Sequence, residues 1–290
     1  MKVGILGNRG GWHTRSLLAA LERRGVAAEC YSVTALVAQV AARPRLIASG
    51  ATLDDHDIVF VRAIPGGSLE QVIYRMDALR CLEVAGVHIV NPPVAIERGV
   101  DKYYTSVLLD EAGIRTPRTI VAERFDDALA AFDQLGGDVV VKPLFGSEGR
   151  GMVRVSDADS AYRAFRALEL GRYVYCLQEF VPHANEDIRA FVVGDRVVAA
   201  MLRRGRSWKT NAAQGAVSTP LPVSDLLREL SLGAARAVGA EHAGVDILPC
   251  EDGTHAVIEV NTIPGWRSLQ STTGIDAAQC LVDQVLERRQ

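Results

Sequence analysis

The segment His255-Ala256-Val257-Ile258-Glu259-Val260-Asn261 sets a carboxylate inside an apolar run rich in valine and isoleucine, and it constrains the fold more than any other stretch. Such a run reads as a buried strand. Side chains alternate across a strand, so Glu259 and Asn261 share a face, roughly 7 Å apart along the backbone. A buried carboxylate without a partner is costly. Upstream, Ala243-Gly244-Val245-Asp246-Ile247-Leu248 is a second apolar run with one embedded acid, Asp246. The loop from Pro249 to Thr254 is short enough for a hairpin. Pairing the two strands brings Asp246 close to Glu259 and Asn261. Two acids and an amide oxygen at one spot suit a hard cation, magnesium or manganese. The competing reading is a pair of satisfied buried acids; three oxygen-bearing groups on matching faces favour the metal.

Burying that hairpin takes a sizeable core. A chain of 290 residues, 48% hydrophobic and 23% charged, supplies one, with room for two or three domains. The net charge of −3 makes no case for nucleic acid or an anionic membrane as partner. The first apolar run, Met1 to Gly7, is too short for a signal peptide, and nothing approaches the ~20 apolar residues of a membrane span. Cys30, Cys81, Cys176, Cys250 and Cys280 are scattered, with no CxxC, and read as reduced thiols of a cytoplasmic protein. The histidines show no ligand spacing, which argues against zinc.

From the N-terminus, strand and helix alternate. Strands are expected over 2–6, 28–33, 57–61 and 87–90, with an amphipathic helix over 14–25 and a longer one from Ser68 to Ala85. This predicts a small parallel sheet flanked by helices. Gly4, Gly7, Gly10 and Gly11 do not fit GxGxxG, and no GxxxxGK(S/T) occurs, so a Rossmann dehydrogenase and a P-loop NTPase are both disfavoured. Asn91-Pro92-Pro93 is expected to break the chain at a domain boundary.

Beyond it, a helix runs from Asp101 towards Gly113, followed by a strand over 119–121 and a helix over 126–135. The strand 138–142 ends in Lys142, and a glycine-rich turn, Phe145 to Met152, leads to a return strand over 152–155. This hairpin could fold over a polyphosphate; the plainer reading is an ordinary turn, but the ammonium at the strand's end must find an anion or solvent. After a helix over 160–168, the strand Tyr173 to Val181 suits a hinge that grips a purine by backbone groups. The hairpin 187–201 turns at Gly194-Asp195 and sets Arg189 and Arg203 near its two ends. Cross-strand pairing there could put both guanidiniums over one anion, whereas either arginine alone would be a surface residue. A polar segment with Trp208-Lys209-Thr210-Asn211, a helix over 224–238 and a closing helix over 275–289 complete the chain.

In order, these pieces resemble the ATP-grasp superfamily and, within it, the RimK-like ligases of the type that modifies ribosomal protein S6. The carriers are Asp101-Lys102, Val140-Val141-Lys142-Pro143, Gly146-Ser147-Glu148-Gly149-Arg150-Gly151, Gln178-Glu179-Phe180, Asp187-Ile188-Arg189, Lys209-Thr210-Asn211, Ala243 to Leu248, Glu259-Val260-Asn261 and Thr272-Thr273-Gly274-Ile275-Asp276. The resemblance implies an α+β (α/β) fold of three domains: a Rossmann-like pre-ATP-grasp domain over 1–95, a central domain over 96–182 and a C-terminal one over 183–290, the last two clasping ATP. By position, Lys102, Lys142, Ser147, Gly149 and Gly151 would meet phosphates, and Glu179, Phe180 and Val181 the adenine. Asp187 would meet the ribose, while Lys209, Thr210 and Asn211 would border ATP and the amino acid. Asp246, Glu259 and Asn261 would carry two magnesium or manganese ions.

The implied reaction is ADP-forming carboxylate–amine ligation. An acceptor carboxylate attacks the γ-phosphorus, and the amine of an amino acid, glutamate by the resemblance, displaces phosphate from the acyl phosphate. Lys142, Arg189 and Arg203 would stabilise the transition-state charge. The sequence departs from the S6-modifying pattern at Leu202-Arg203-Arg204, where an acid precedes the arginines in that pattern, and at Ala213-Gln214, where a basic residue stands. Both lie where substrates would bind, so a small molecule and a protein C-terminus both stay open as acceptor, and a homo-oligomer stays open too. The alternatives are a kinase on the same scaffold and a nucleotide-binding module without catalysis.

Overall fold

The computed structural model describes residues 1–146, 151–210 and 215–288. Parallel strands need crossovers, and the first ninety residues supply them. The elements are β1 (Val3–Leu6), α1 (Trp12–Arg23), β2 (Ala28–Tyr31), β3 (Leu36–Ala38), β4 (Leu46–Ala48), β5 (Ala51–Thr52), β6 (Ile58–Val61), α2 (Leu69–Val84) and β7 (His88–Val90). Four of the strands form a parallel sheet in the order β2-β1-β6-β7. Every residue of β1 and β6 is buried, as central strands covered on both faces require. A capping box, Ser68 with Gln71, starts α2. The sequence reading had no elements between β2 and β6, where β3, β4 and β5 form a small antiparallel sheet. Strands of three, three and two residues are too short for alternation to show.

Asn91-Pro92-Pro93 leads from the first sheet into the next helix. Pro93 opens helix α3 (Pro93–Val100), a position where its missing N–H costs nothing. The buried Asn91 amide is used completely. Its Nδ2 donates to the carbonyls of His242 (2.7 Å) and Thr262 (2.6 Å), and its Oδ1 accepts from the N–H groups of Glu241 (2.7 Å) and His242 (3.0 Å). The end of the first sheet is thus pinned to the acid-bearing hairpin.

The second sheet is antiparallel, ordered β10-β9-β11-β8. It comprises β8 (Thr119–Ala122), β9 (Val139–Lys142), β10 (Val153–Val155) and β11 (Tyr175–Glu179), with helices α4 (Lys102–Glu111), α5 (Phe125–Gln134) and α6 (Ala158–Leu170) between or before them. Residues from α5 and α6, including Phe132 and Phe165, cover one face. The third sheet runs β14-β13-β12-β15-β16, all antiparallel. Its strands are β12 (Glu186–Val193), β13 (Arg196–Arg204), β14 (Val217–Pro220), β15 (His242–Pro249) and β16 (His255–Asn261). Gly194, at φ +59°, makes the β12–β13 turn. Helix α7 (Asp225–Val238) packs one face through Leu227, Ala234 and Val238.

Neither β14 nor the short helix α8 (Arg267–Thr273) was expected: at four and seven residues, both are too short for a periodic pattern to show. The last helix, α9 (Ala277–Glu287), lies on α1. One core holds Ile5, Leu17 and Phe60 together with Phe191, Trp266, Leu281 and Val285. The end of the chain therefore completes the hydrophobic core of its beginning.

Candidate active site

A cleft of about 820 Å³, partly open to solvent, takes its walls from the second and third sheets. Register explains its chemistry. On the third sheet Asp187 stands opposite Arg203, Arg189 opposite Asp246, and Asp246 opposite Glu259. Residues two apart share a face, so these five charges form one ladder across β13, β12, β15 and β16. Arg203 grips both Asp187 oxygens at 2.5 Å and reaches Asp246 Oδ1 at 2.9 Å. Arg189 forks onto Asp246, its Nη2 donating to Oδ2 at 2.8 Å and its Nε to Oδ1. The two guanidiniums do share one anion, and that anion is Asp246.

The electrostatics follow from the pairing. Burial pushes the Asp246 carboxyl up, but Arg189 and Arg203 outweigh it and hold the group below the usual range. Asp187 goes the other way: burial raises it, and the Asp246 charge adds to that against the pull of Arg203. Burial and then the facing Asp246 charge raise Glu259, against Lys102, Arg189 and Lys142. No hydrogen bond or ion pair among the described residues reaches the Glu259 carboxylate. Asn261 lies opposite Gly244, one step along the strand pair on the same face, and donates Nδ2 to the Gly244 carbonyl at 3.3 Å.

Lys142 ends β9 on the opposite wall and is buried. Its ammonium donates to Gln178 Oε1, and burial lowers its pKa. Gln178 had no role in the sequence reading, although register could have found it. Lys142 pairs with Cys176, so Gln178, two residues on, is its diagonal neighbour on the same face. Lys102 Nζ donates to the Gly146 carbonyl and Lys209 Nζ to the Met152 carbonyl, each at 2.7 Å.

Glu179 turns its carboxylate onto the Arg118 N–H (2.9 Å) and Nε (2.6 Å), and its own N–H donates to the Arg118 carbonyl at 2.9 Å. Phe180 carries the Arg154 guanidinium 3.4 Å above its ring and meets Trp208 edge-on at 6.4 Å. With Val140, Val181, Met152, Leu248 and Ile258 these rings make an apolar slot beside the charged ladder. Trp208, Met152 and Arg154 were named in the sequence only as parts of longer segments.

Of the anticipated residues, Lys102, Lys142, Glu179, Phe180, Val181, Asp187, Lys209, Thr210, Asp246 and Glu259 line this cleft together. Arg189 and Arg203 sit beneath the lining, on its acids. Gly151, with φ +76°, lies at the end of the β9–β10 turn, outside the lining. Ser147, Gly149 and Asn211 fall outside the described residues.

Comparison with known proteins agrees along the whole chain. Residues 1–96 match the RimK PreATP-grasp domain and residues 99–285 the RimK-like ATP-grasp domain. A tetrahydromethanopterin:alpha-L-glutamate ligase of Methanococcus maripaludis is 36% identical over 291 residues, covering 99% of this chain and 98% of its own. A probable alpha-L-glutamate ligase of Aliivibrio fischeri is 34% identical over 292 residues, covering 98% and 94%. Among solved structures, the RimK domain ATP-grasp protein from Sphaerobacter thermophilus superposes with a TM-score of 0.75 at 23% identity, over 99% of this chain and 100% of its own. The ATP-grasp ligase PsnB, solved with a precursor variant, Mg and ADP, gives 0.76 at 19% identity, over 99% and 98%. The chain belongs to the RimK-like ATP-grasp family.

Proposed function

We propose that this chain is an ATP-dependent carboxylate–amine ligase that activates an acceptor carboxylate as an acyl phosphate and joins it to L-glutamate, releasing ADP and phosphate. One observation carries the reading: full-length likeness to glutamate ligases coincides with a cleft whose two walls offer a buried ammonium, Lys142, and a carboxylate, Glu259, without a partner among the described residues. The adenine fits the apolar slot of Phe180, Val181 and Trp208. Lys102, Lys142 and Lys209 face the phosphates; among the described residues each ammonium donates to a neutral oxygen and to no carboxylate, so each has charge to give an anion.

The oxygen donors also suit a hard divalent cation. Glu259 has no partner among the described residues, and Asn261 keeps its Oδ1 free by donating through Nδ2. Asp246 already accepts three bonds from the arginines, leaving it about one of its ~four lone-pair positions. Glu259 and Asn261 are therefore the principal ligands and Asp246 a minor one. Bound magnesium, as one ion or two, would neutralise phosphate oxygens and hold the attack in line. The chain's own part is positional: Lys142 holds charge at the γ-phosphate, and the ladder keeps the floor rigid beneath it.

Thiols that are all free and a modest negative charge favour the cytoplasm. Among the described residues no helix is long and apolar enough to cross a membrane.

The test is incubation of the protein with ATP, magnesium, labelled L-glutamate and a small-molecule extract, read by mass spectrometry and nucleotide chromatography. The expected result is ADP with a labelled, amide-linked product. A phosphorylated product without glutamate would make the protein a kinase, and AMP would overturn the acyl phosphate route.

A further inference from the structure

Lys142 and Gln178 both line the cleft, on neighbouring strands of the second sheet. Gln178 stands directly opposite Thr119 on β8 and opposite Val140 on β9. Lys142 is two residues beyond Val140, so Thr119, Gln178 and Lys142 share one face. Three hydrogen bonds then run in one direction across that face. The Lys142 ammonium donates to Gln178 Oε1, Gln178 Nε2 donates to Thr119 Oγ1 at 3.0 Å, and the Thr119 hydroxyl donates to the Pro117 carbonyl at 3.0 Å.

The direction is forced from both ends. An ammonium has hydrogens to give and no lone pair, whereas a carbonyl has lone pairs and no hydrogen. Between them the amide stands with its oxygen towards the lysine, because the reverse would set its NH2 group against another donor. The Thr119 hydroxyl closes the chain by accepting on one side and donating on the other. Thr119 therefore holds the amide the right way round.

The chemistry of the acceptor matters as much as its direction. Lys142 is 8% exposed, and burial disfavours its charge, as does Lys102, while Glu259, Cys176 and Asp246 favour it. A buried ammonium needs an acceptor. On the third sheet the buried cations take carboxylates, Arg203 on Asp187 and Arg189 on Asp246. A carboxylate at position 178 would meet the same need and cancel the charge of the lysine. An amide oxygen satisfies one hydrogen and leaves the net charge standing. Among the described residues the Lys142 ammonium meets no carboxylate.

We propose that Gln178 is a positioning residue, oriented by Thr119, that aims the Lys142 ammonium at a nucleotide phosphate without neutralising it. The inference rests on the ligase reading for the nucleotide, and it assigns work to two residues that act only through the lysine.

The experiment is titration calorimetry of ADP with magnesium on the full chain, arranged as a double-mutant cycle. Thr119→Val keeps the branched shape and removes the hydroxyl, and ADP binds about threefold to tenfold more weakly. Made on a Lys142→Met background, the same change moves the affinity by less than about twofold. Gln178→Glu keeps an acceptor oxygen and adds a charge. Its urea midpoint holds or rises while ADP binds about tenfold more weakly, a split that a purely structural role would not give. Equal losses from Thr119→Val on both backgrounds overturn the proposal, as does wild-type affinity in Gln178→Glu or a wild type that binds no ADP. Should Lys142→Met fail to fold, adenosine, which has no phosphate, takes the place of that background. Thr119→Val must then bind adenosine as the wild type does, and an equal loss for ADP and adenosine overturns the proposal. None of these measurements needs turnover, so failure of the ligase reading is recorded separately, as absence of glutamate incorporation.

Discussion

The floor of the cleft and its rim handle charge in opposite ways. On the floor, Asp187, Arg203, Asp246 and Arg189 neutralise one another across three strands, with every contact fixed by sheet register. On the rim, Lys102, Lys142 and Lys209 rest on neutral oxygens, and Glu259 rests on nothing among the described residues. Buried ions that lose a partner are expensive, so the floor is a structural commitment. Ions held by neutral groups keep most of their field for something else, so the rim is where a charged ligand gains most.

The difference is broken most severely at Arg203. Replacing it with methionine strands the buried Asp187 and removes one of the two arginines on Asp246, and a loss of roughly 3–5 kcal/mol of folding stability is expected, read as a fall in the urea midpoint. A midpoint within error of the wild type would mean the floor is not a closed ion-pair network. Glu259→Gln tests the rim. The substitution is nearly isosteric and removes a charge without a partner, so the urea midpoint should hold or rise. Turnover should fall by at least about a hundredfold, the scale of removing one charged group from a polar catalytic site. Full activity would move Glu259 from the rim to the structural set.

Much of this contrast was legible before any coordinates. The acid-bearing hairpin, its partner hairpin over 187–201 and the lysine at the end of β9 follow from apolar runs with single charged interruptions, and their side-chain faces follow from a period of two. What the sequence did not give away was partnership. Arg189 and Arg203 were read as hands for a substrate anion, whereas Asp246 takes both, because a bulge between Asp246 and Ile247 and the β12–β15 register decide which side chains meet. Gln178 escaped because an amide at the end of a strand carries no periodic signal. The stacking of Arg62 on Trp266 escaped because the two stand 204 residues apart in the chain, brought together only when its end packs back onto the first sheet.

A third kind of buried group sharpens the contrast, one kept neutral. His242 is 1% exposed, both ring nitrogens lack partners among the described residues, and burial with Arg62 nearby pushes it down to about 3. Its folded pKa lies below the ordinary 6.5, so the stability tied to its neutral form is whole above pH 6.5 and drains away as pH falls towards about 3. His242→Leu should therefore match the wild type at pH 7.5 to within about 1 kcal/mol and exceed it progressively below pH 6. Parallel pH profiles for the two proteins would show that the acid sensitivity arises elsewhere.

The smallest effect expected is at Lys102, and it separates rim from floor most cleanly. This lysine is half-buried at the start of α4, with its ammonium on the Gly146 carbonyl and no acid within ion-pair distance among the described residues. Lys102→Met keeps the length of the stem and removes the charge. An exposed-side substitution of this kind shifts stability by no more than about 0.5 kcal/mol. A phosphate-facing ammonium in partly screened surroundings is worth about tenfold in affinity, so ADP should bind roughly tenfold more weakly by calorimetry. The loss should shrink as salt rises, since an open cleft admits counter-ions. If ADP binds Lys102→Met as tightly as the wild type at low salt, the Gly146 contact is a structural tie, and Lys102 belongs with the floor.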